Sequence, residues 1–190
     1  SDRFSSTGLR RLTDKVTRAV GRYHQQFPLR SGMPKEELKS KLTIPPGSFP
    51  GAVQQLVRDG ALAEAGKLVC LPSHRIELKK GQQAAVDAFL RPLTQNPYSP
   101  PSETTMDQEL LELLIEQRKV VKVADNVIFA ASAYDEMVER VIAHVKSHGK
   151  ITVAEVRDLF QTSRKYALAL MEHLDEQKIT RRVGDERVLR

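Results

Sequence analysis

The side chains whose spacing suggests chemistry lie in the last forty positions, Ile151 to Arg190, where cations gather at a helix start and in a hairpin. Lys178 to Arg190 alone carries five bases against two acids. Guanidinium and ammonium groups clustered in this way suit phosphate: arginine offers a planar fork to two oxygens and lysine a point charge. The expected contacts are Arg157, Arg164, Lys165, Arg181, Arg182 and Arg187. Tyr166 adds a flat ring that could stack on a splayed base. Gly184 and Asp185, in the turn Val183-Gly184-Asp185-Glu186, could permit close approach and a base contact, although a plain hairpin turn explains them equally well.

Other constellations do not assemble into a reaction. His144 and His148 stand four apart, a zinc-like spacing, but without cysteine or an H-E-x-x-H pattern two surface histidines explain them. Ser, His and Asp residues are scattered with no nucleophile elbow. No catalytic residue and no metal ligand is assigned, so the expected activity is binding. Asp107 to Glu116, DQELLELLIE, reads as the acidic outer face of an amphipathic helix and makes a poor polyanion binder.

Positioning the cations requires two helices, a turn and a hairpin. Thr152 followed by Glu155 is a capping box, which predicts a helix over Val153–Phe160 burying Val156 and Leu159. Thr162 or Ser163 then caps a longer helix whose buried stripe is Ala167, Leu170, Met171 and Leu174, leaving Arg164, Lys165, Leu168, Ala169, Glu172 and His173 outward. Two cations in the first turn oppose the helix dipole, a placement that favours an anion bound at the free amides there. Alternation along TRRVGDERVL puts Thr180, Arg182 and Arg187 on one side of the hairpin.

The same grammar occurs upstream. Leu56, Leu114 and Leu174 each lie six residues before Leu62, Val120 and Thr180, the turn residues Gly66, Ala124 and Gly184 fall in register, and so do Val69–Leu71, Val127–Phe129 and Arg187–Leu189. Intervals of 58 and 60 residues suit a small three-helix domain with a two-stranded wing. The expected fold is therefore mainly α with small β-hairpins, an α+β tandem array of three winged helix-turn-helix modules at 1–72, 73–132 and 133–190. Helices are expected over about 12–27, 34–42 and 52–59, then 80–93, 105–117 and 134–147. A frayed start runs to about Arg11, and the proline-rich loop QNPYSPPSE makes the middle copy irregular.

Composition bounds the rest. The 190 residues are 40% hydrophobic and 28% charged, and no apolar run approaches the eighteen needed to cross a bilayer. No signal-peptide pattern is visible, and an initial Ser fits a processed chain or a fragment of a longer one. The single cysteine, Cys70, suits a reducing cytoplasm as a small buried hydrophobe. Of the formal net charge of +6, residues 1–72 carry +6, residues 73–132 carry −1 and residues 133–190 carry +1. Arg10, Arg11, Lys15, Arg18 and Arg22 make the first module basic, whereas the middle one reads as a spacer or protein-facing unit.

TSRKYALALMEHLD and TRRVGDERVL, and with them residues 134–190, resemble the carboxy-terminal winged helix of the bacterial selenocysteine-specific elongation factor, the SelB family; the upstream modules match that family's architecture. The resemblance implies recognition of the selenocysteine insertion (SECIS) stem-loop in a selenoprotein mRNA, so that selenocysteinyl-tRNA is delivered at UGA codons. It implies further contacts with ribosome and tRNA, a cytoplasmic monomer and no membrane partner. No G-x-x-x-x-G-K-[ST] loop occurs, so this fragment is expected to be no enzyme and to need no cofactor, with GTP and Mg belonging to missing domains of a GTPase. A DNA-binding winged-helix regulator and a tandem winged-helix protein–protein adaptor stay open as alternatives.

Overall fold

A computed structural model describes residues 5–102 and 105–190. Expectations that touch the first four residues, or Glu103 in the proline-rich loop, lie outside the described part. The chain divides into two compact units, Ser1–Leu78 and Lys79–Arg190. Each contains a winged helix, as the helix and hairpin order predicts.

The first unit opens with α1 (Ser6–Gln26), whose buried residues Leu12, Val16, Val20 and Tyr23 form one stripe. It begins earlier than the sequence predicts because the Ser5 hydroxyl accepts the Gly8 amide at 3.0 Å, capping a stretch that would otherwise fray. Strand β1 (Met33–Pro34), α2 (Lys35–Lys41), a 3-10 turn at Pro46–Ser48 and α3 (Phe49–Arg58) follow. Gly60, at φ +76°, reverses the chain after α3. The hairpin of β2 (Ala63–Ala65) and β3 (Leu68–Cys70) turns at Gly66, and β1 adds to its edge in the order β1-β3-β2. Met33, Leu38, Leu56, Leu62 and Val69 join the α1 stripe in one core.

In the second unit come α4 (Lys80–Gln95), α5 (Gln108–Glu116), β4 (Val120–Ala124), β5 (Val127–Ala130) and α6 (Ala131–His148). Helix α5 is shorter than predicted, since the Asp107 carboxylate accepts the Leu110 amide at 3.2 Å and so fixes its start. The β4–β5 pair forms a two-stranded sheet by itself, with an irregularity between Lys122 and Ala124. Gly149 at φ +83° ends α6. Then come β6 (Ile151–Thr152), α7 (Val153–Phe160), α8 (Arg164–Glu176), β7 (Thr180–Val183) and β8 (Glu186–Leu189). The last sheet has the order β6-β8-β7, the same plan as in the first unit.

One buried cluster joins the β4–β5 hairpin to the elements that follow it. Val123, Val127 and Phe129 of the middle stretch pack with Met137, Val141, Ile151, Val156, Leu170, Met171 and Leu174 of the last. Two-residue strands such as β1 and β6 have no period to detect, and the sequence reading missed both. Each exists only because a neighbouring hairpin offers an edge to pair with.

Candidate nucleic-acid interface

The start of α8 is positioned from two directions. Beneath it, α7 is fixed by the reciprocal capping box: the Glu155 amide donates to the Thr152 hydroxyl at 3.1 Å, and the Thr152 amide to the Glu155 carboxylate at 3.1 Å. His144 lies 3.0 Å from the second Glu155 oxygen and its ring stacks on His148 at 4.3 Å. Burial pushes the Glu155 carboxyl upward, but the hydrogen bonds to Thr152 and His144 outweigh it and hold the group below its ordinary value.

Above it runs the proline-rich segment of the middle stretch. The Thr162 hydroxyl donates to the Tyr98 carbonyl at 2.6 Å, the Ser99 and Thr162 hydroxyls are 3.0 Å apart, and the Tyr166 hydroxyl donates to the Pro100 carbonyl. The Tyr98 ring packs on Phe160 at 5.1 Å, and its hydroxyl donates to Glu136 at 2.6 Å, a bond that raises the phenol above its ordinary pKa. From the sequence this loop only made the middle copy irregular. In the fold it straps the turn between α7 and α8.

Within that frame Arg164 and Lys165 are exposed at the first positions of α8, and no side chain caps the helix, the Ser163 hydroxyl included. The unpaired amides of the first turn thus lie beside two cations, the arrangement that binds phosphate oxygen. Arg157 is partly exposed and pairs with the neighbouring Asp158 at 3.1 Å. Past its first turn α8 shows solvent two acids, Glu172 and Glu176. Ala169, expected outward, is buried at 9% exposure, because the shared core packs against more of α8 than the stripe of four implies. His173 is half-buried against the Tyr134 ring, and desolvation holds its pKa below the ordinary value.

Arg181 and Arg182 are exposed on the wing. Arg182 Nε donates to the Gly184 carbonyl at 2.8 Å with Asp185 3.8 Å away, so these three residues come together at the tip. Gly184 adopts φ +63°, which glycine accommodates without strain. Val183 beside it is 46% exposed, the one large hydrophobic side chain so open among the described residues.

Two expected contacts need correction. Arg187 does share a face with Thr180 and Arg182, but that face turns inward at the base of the wing: Arg187 is 3% exposed and its Nε donates to Asp175 at 3.3 Å. The other Asp175 oxygen accepts from the buried Thr180 hydroxyl at 2.6 Å. Arg187 therefore fastens the wing to the end of α8 and is not presented to phosphate. Tyr166 is likewise engaged: its hydroxyl is on Pro100, its partly buried ring is edge-on to Phe129 at 6.4 Å, and the Lys165 ammonium lies over that ring at 5.6 Å, so the side chain is held against its own domain. The repeat held the signal for Arg187, since its register partners Val69 and Val127 are core residues. Nothing in the sequence pointed to Tyr98 or Asp175.

Residues 17–71 match a family model described as "Elongation factor SelB, winged helix", for the second such domain, and residues 143–189 match that for the third, together more than half of the chain. The chain belongs to the SelB winged-helix family. A selenocysteine-specific elongation factor of Desulfomicrobium baculatum is 30% identical over 183 residues, which cover 90% of this chain and 29% of that protein. One of Haemophilus influenzae is 21% identical over 202 residues, covering 98% and 32%. The chain thus spans about a third of the length of these SelB relatives. Among solved structures, the mRNA-binding domain of E. coli SelB in complex with SECIS RNA is 21% identical at a TM-score of 0.46, covering 60% of this chain and 99% of its own. A bacterial selenocysteine-specific elongation factor is 18% identical at 0.49, covering 98% and 30%.

Proposed function

We propose that this chain is the mRNA-hairpin-binding region of a selenocysteine-specific elongation factor. It grips the selenocysteine insertion stem-loop so that selenocysteinyl-tRNA is delivered at UGA codons. The observation that carries the reading is the uncapped, doubly basic start of α8 in a SelB-type winged helix. A-form RNA closes its deep major groove to a helix, leaving backbone, loop and bulge as handles. A helix start and a wing tip suit those handles, whereas a DNA reader would lay the length of α8 in a groove, and there Glu172 and Glu176 would face the phosphates. Arg157, Arg164, Lys165, Arg181 and Arg182 act as phosphate partners, with Gly184 and Asp185 at the tip.

In this reading the repeat sets three modules at 1–72, 73–132 and 133–190, the middle one a spacer that also straps the third. The chain acts by binding, as a cytoplasmic monomer without a cofactor of its own. GTP and Mg serve other domains of the factor, and ribosome and tRNA are its further partners. No helix among the described residues is long and apolar enough to cross a membrane.

Binding of the chain to a selenoprotein mRNA hairpin, beside a loop-scrambled hairpin and a DNA duplex of matched length, tests the proposal. Tight hairpin binding with a steep salt dependence, lost in Arg164→Gln/Arg182→Gln, is expected. Equal affinity for all three would reduce the interaction to electrostatics alone, and preference for the duplex would reverse it.

A further inference from the structure

Helix α1 carries Arg11, Lys15, Arg18 and Arg22 at steps of four, three and four, which places them in one stripe along its length. All four are exposed and none has an ion-pair partner among the described residues. Asp14 is the single acid of the helix against five Lys and Arg. A solvated helix face mixes its signs, and like charges three and four apart destabilise the helix that carries them. Here the sequence accepts that repulsion at three successive pairs, Arg11–Lys15, Lys15–Arg18 and Arg18–Arg22.

The rest of the first unit narrows what the stripe can hold. Its own winged-helix site is not basic: α3 starts Phe49-Pro50-Gly51, the wing strand β2 is Ala63-Glu64-Ala65, and Glu64 is tied to Lys35 at 2.7 Å. The opposite face of α1 is locked into the core through Leu12, Val16, Val20 and Tyr23. That leaves no apolar side to sink into a lipid surface or to pair with an amphipathic partner helix. What α1 offers is a row of cations, three of them arginine, from Arg11 to Arg22, about 16 Å along the helix. A row of that length can meet several backbone phosphates of one strand at once.

We infer that the outer face of α1 is a second nucleic-acid site, distinct from the α8 start and its wing, which docks along the sugar-phosphate backbone of double-stranded RNA without reading its sequence. The choice of RNA over DNA rests on the function proposed above; the stripe itself does not.

The test uses the whole chain in the Arg164→Gln/Arg182→Gln background, which silences the other site, and a labelled, fully paired RNA duplex without a loop. Further substitution of Arg11, Lys15, Arg18 and Arg22 by Gln is expected to weaken duplex binding at least tenfold at low salt. It should also reduce the log-log salt slope by roughly three. The substitutions Arg11→Lys, Arg18→Lys and Arg22→Lys, which keep the charge, should preserve the slope, and circular dichroism should show α1 intact in both variants. With the α8 and wing residues restored, the four glutamines should leave discrimination between hairpin and scrambled hairpin unchanged, so the two sites fail or survive separately. An unchanged slope in the glutamine variant would overturn the inference. So would binding to phosphatidylserine vesicles that depends on the same four residues while the duplex does not bind, or a DNA duplex of equal length that binds more tightly than the RNA.

Discussion

Val57, Leu62 and Val69 of the first unit occupy the same places in the repeat as Asp175, Thr180 and Arg187 of the second. The first three close the base of the wing with hydrocarbon, Leu62 and Val69 being 2% and 1% exposed. The second three do it with a carboxylate that accepts from a hydroxyl and a guanidinium, Thr180 and Arg187 being 0% and 3% exposed. One architecture thus tolerates an apolar or a charged joint at the same point. The charged joint demands that every partner be present, because a lone buried guanidinium retains its desolvation cost without compensation.

That comparison can be broken most severely at Asp175. Asp175→Ala strands Arg187 and is expected to cost about 3 kcal/mol, the lower end for a buried pair because the carboxylate keeps partial contact with water. Amide hydrogen exchange of the whole chain, followed separately in the two units, should show the loss in the second only. Converting the joint outright, with Asp175→Val, Thr180→Leu and Arg187→Val, should restore stability to the starting value or above it. If the triple variant were as unstable as the single one, the charged joint would be indispensable to this wing and the equivalence would fail.

A smaller difference separates the helices that precede the turn. Helix α7 starts on a full capping box, whereas α2 starts on Pro34 with no side-chain cap. Thr152→Ala should therefore cost about 1 kcal/mol, seen in chemical denaturation as a lower midpoint with unchanged slope.

The chain reversal that precedes each wing hairpin gives a signed test. Gly60, Arg118 and Lys178 are in register and all three adopt positive φ, +76°, +55° and +61°. A Cβ at Gly60 meets open space, so Gly60→Ala should destabilise by about 1 kcal/mol through backbone conformation alone, while Lys178→Gly should stabilise by up to a similar amount. Equal signs for the two would show that local packing, not φ, decides.

The mildest effect is that of acid. Burial, with the stacked His74 second, holds His24 in the first unit below its ordinary pKa, and desolvation does the same for His173 in the second. The Leu71 amide donates to His24 Nε2 at 3.0 Å, so that nitrogen must stay unprotonated. Folded pKa values below the unfolded 6.5 mean that the unfolded chain takes up protons first. Stability from these two groups is complete above about pH 6.5 and declines as pH falls below it. His24→Gln should flatten the decline in the first unit and leave the second unit's untouched.

The sequence by itself determined the helices, the hairpin turns, the Thr152–Glu155 cap and the repeat, because these depend on side-chain period, local capping and φ preferences within a few residues. It also located Arg164, Lys165, Arg181 and Arg182 on exposed backbone, since charge at helix starts and turns has few other places to go. Only the tertiary structure decided that Arg187 faces Asp175 and that Tyr166 is held by Pro100. It alone showed that the loop around Tyr98 secures the turn before α8, and that strands of two residues complete both three-stranded sheets. Each of those outcomes joins residues distant in the chain. Whether an arginine points to solvent or into a core depends on which neighbour the fold brings to it, and local period carries no trace of that neighbour.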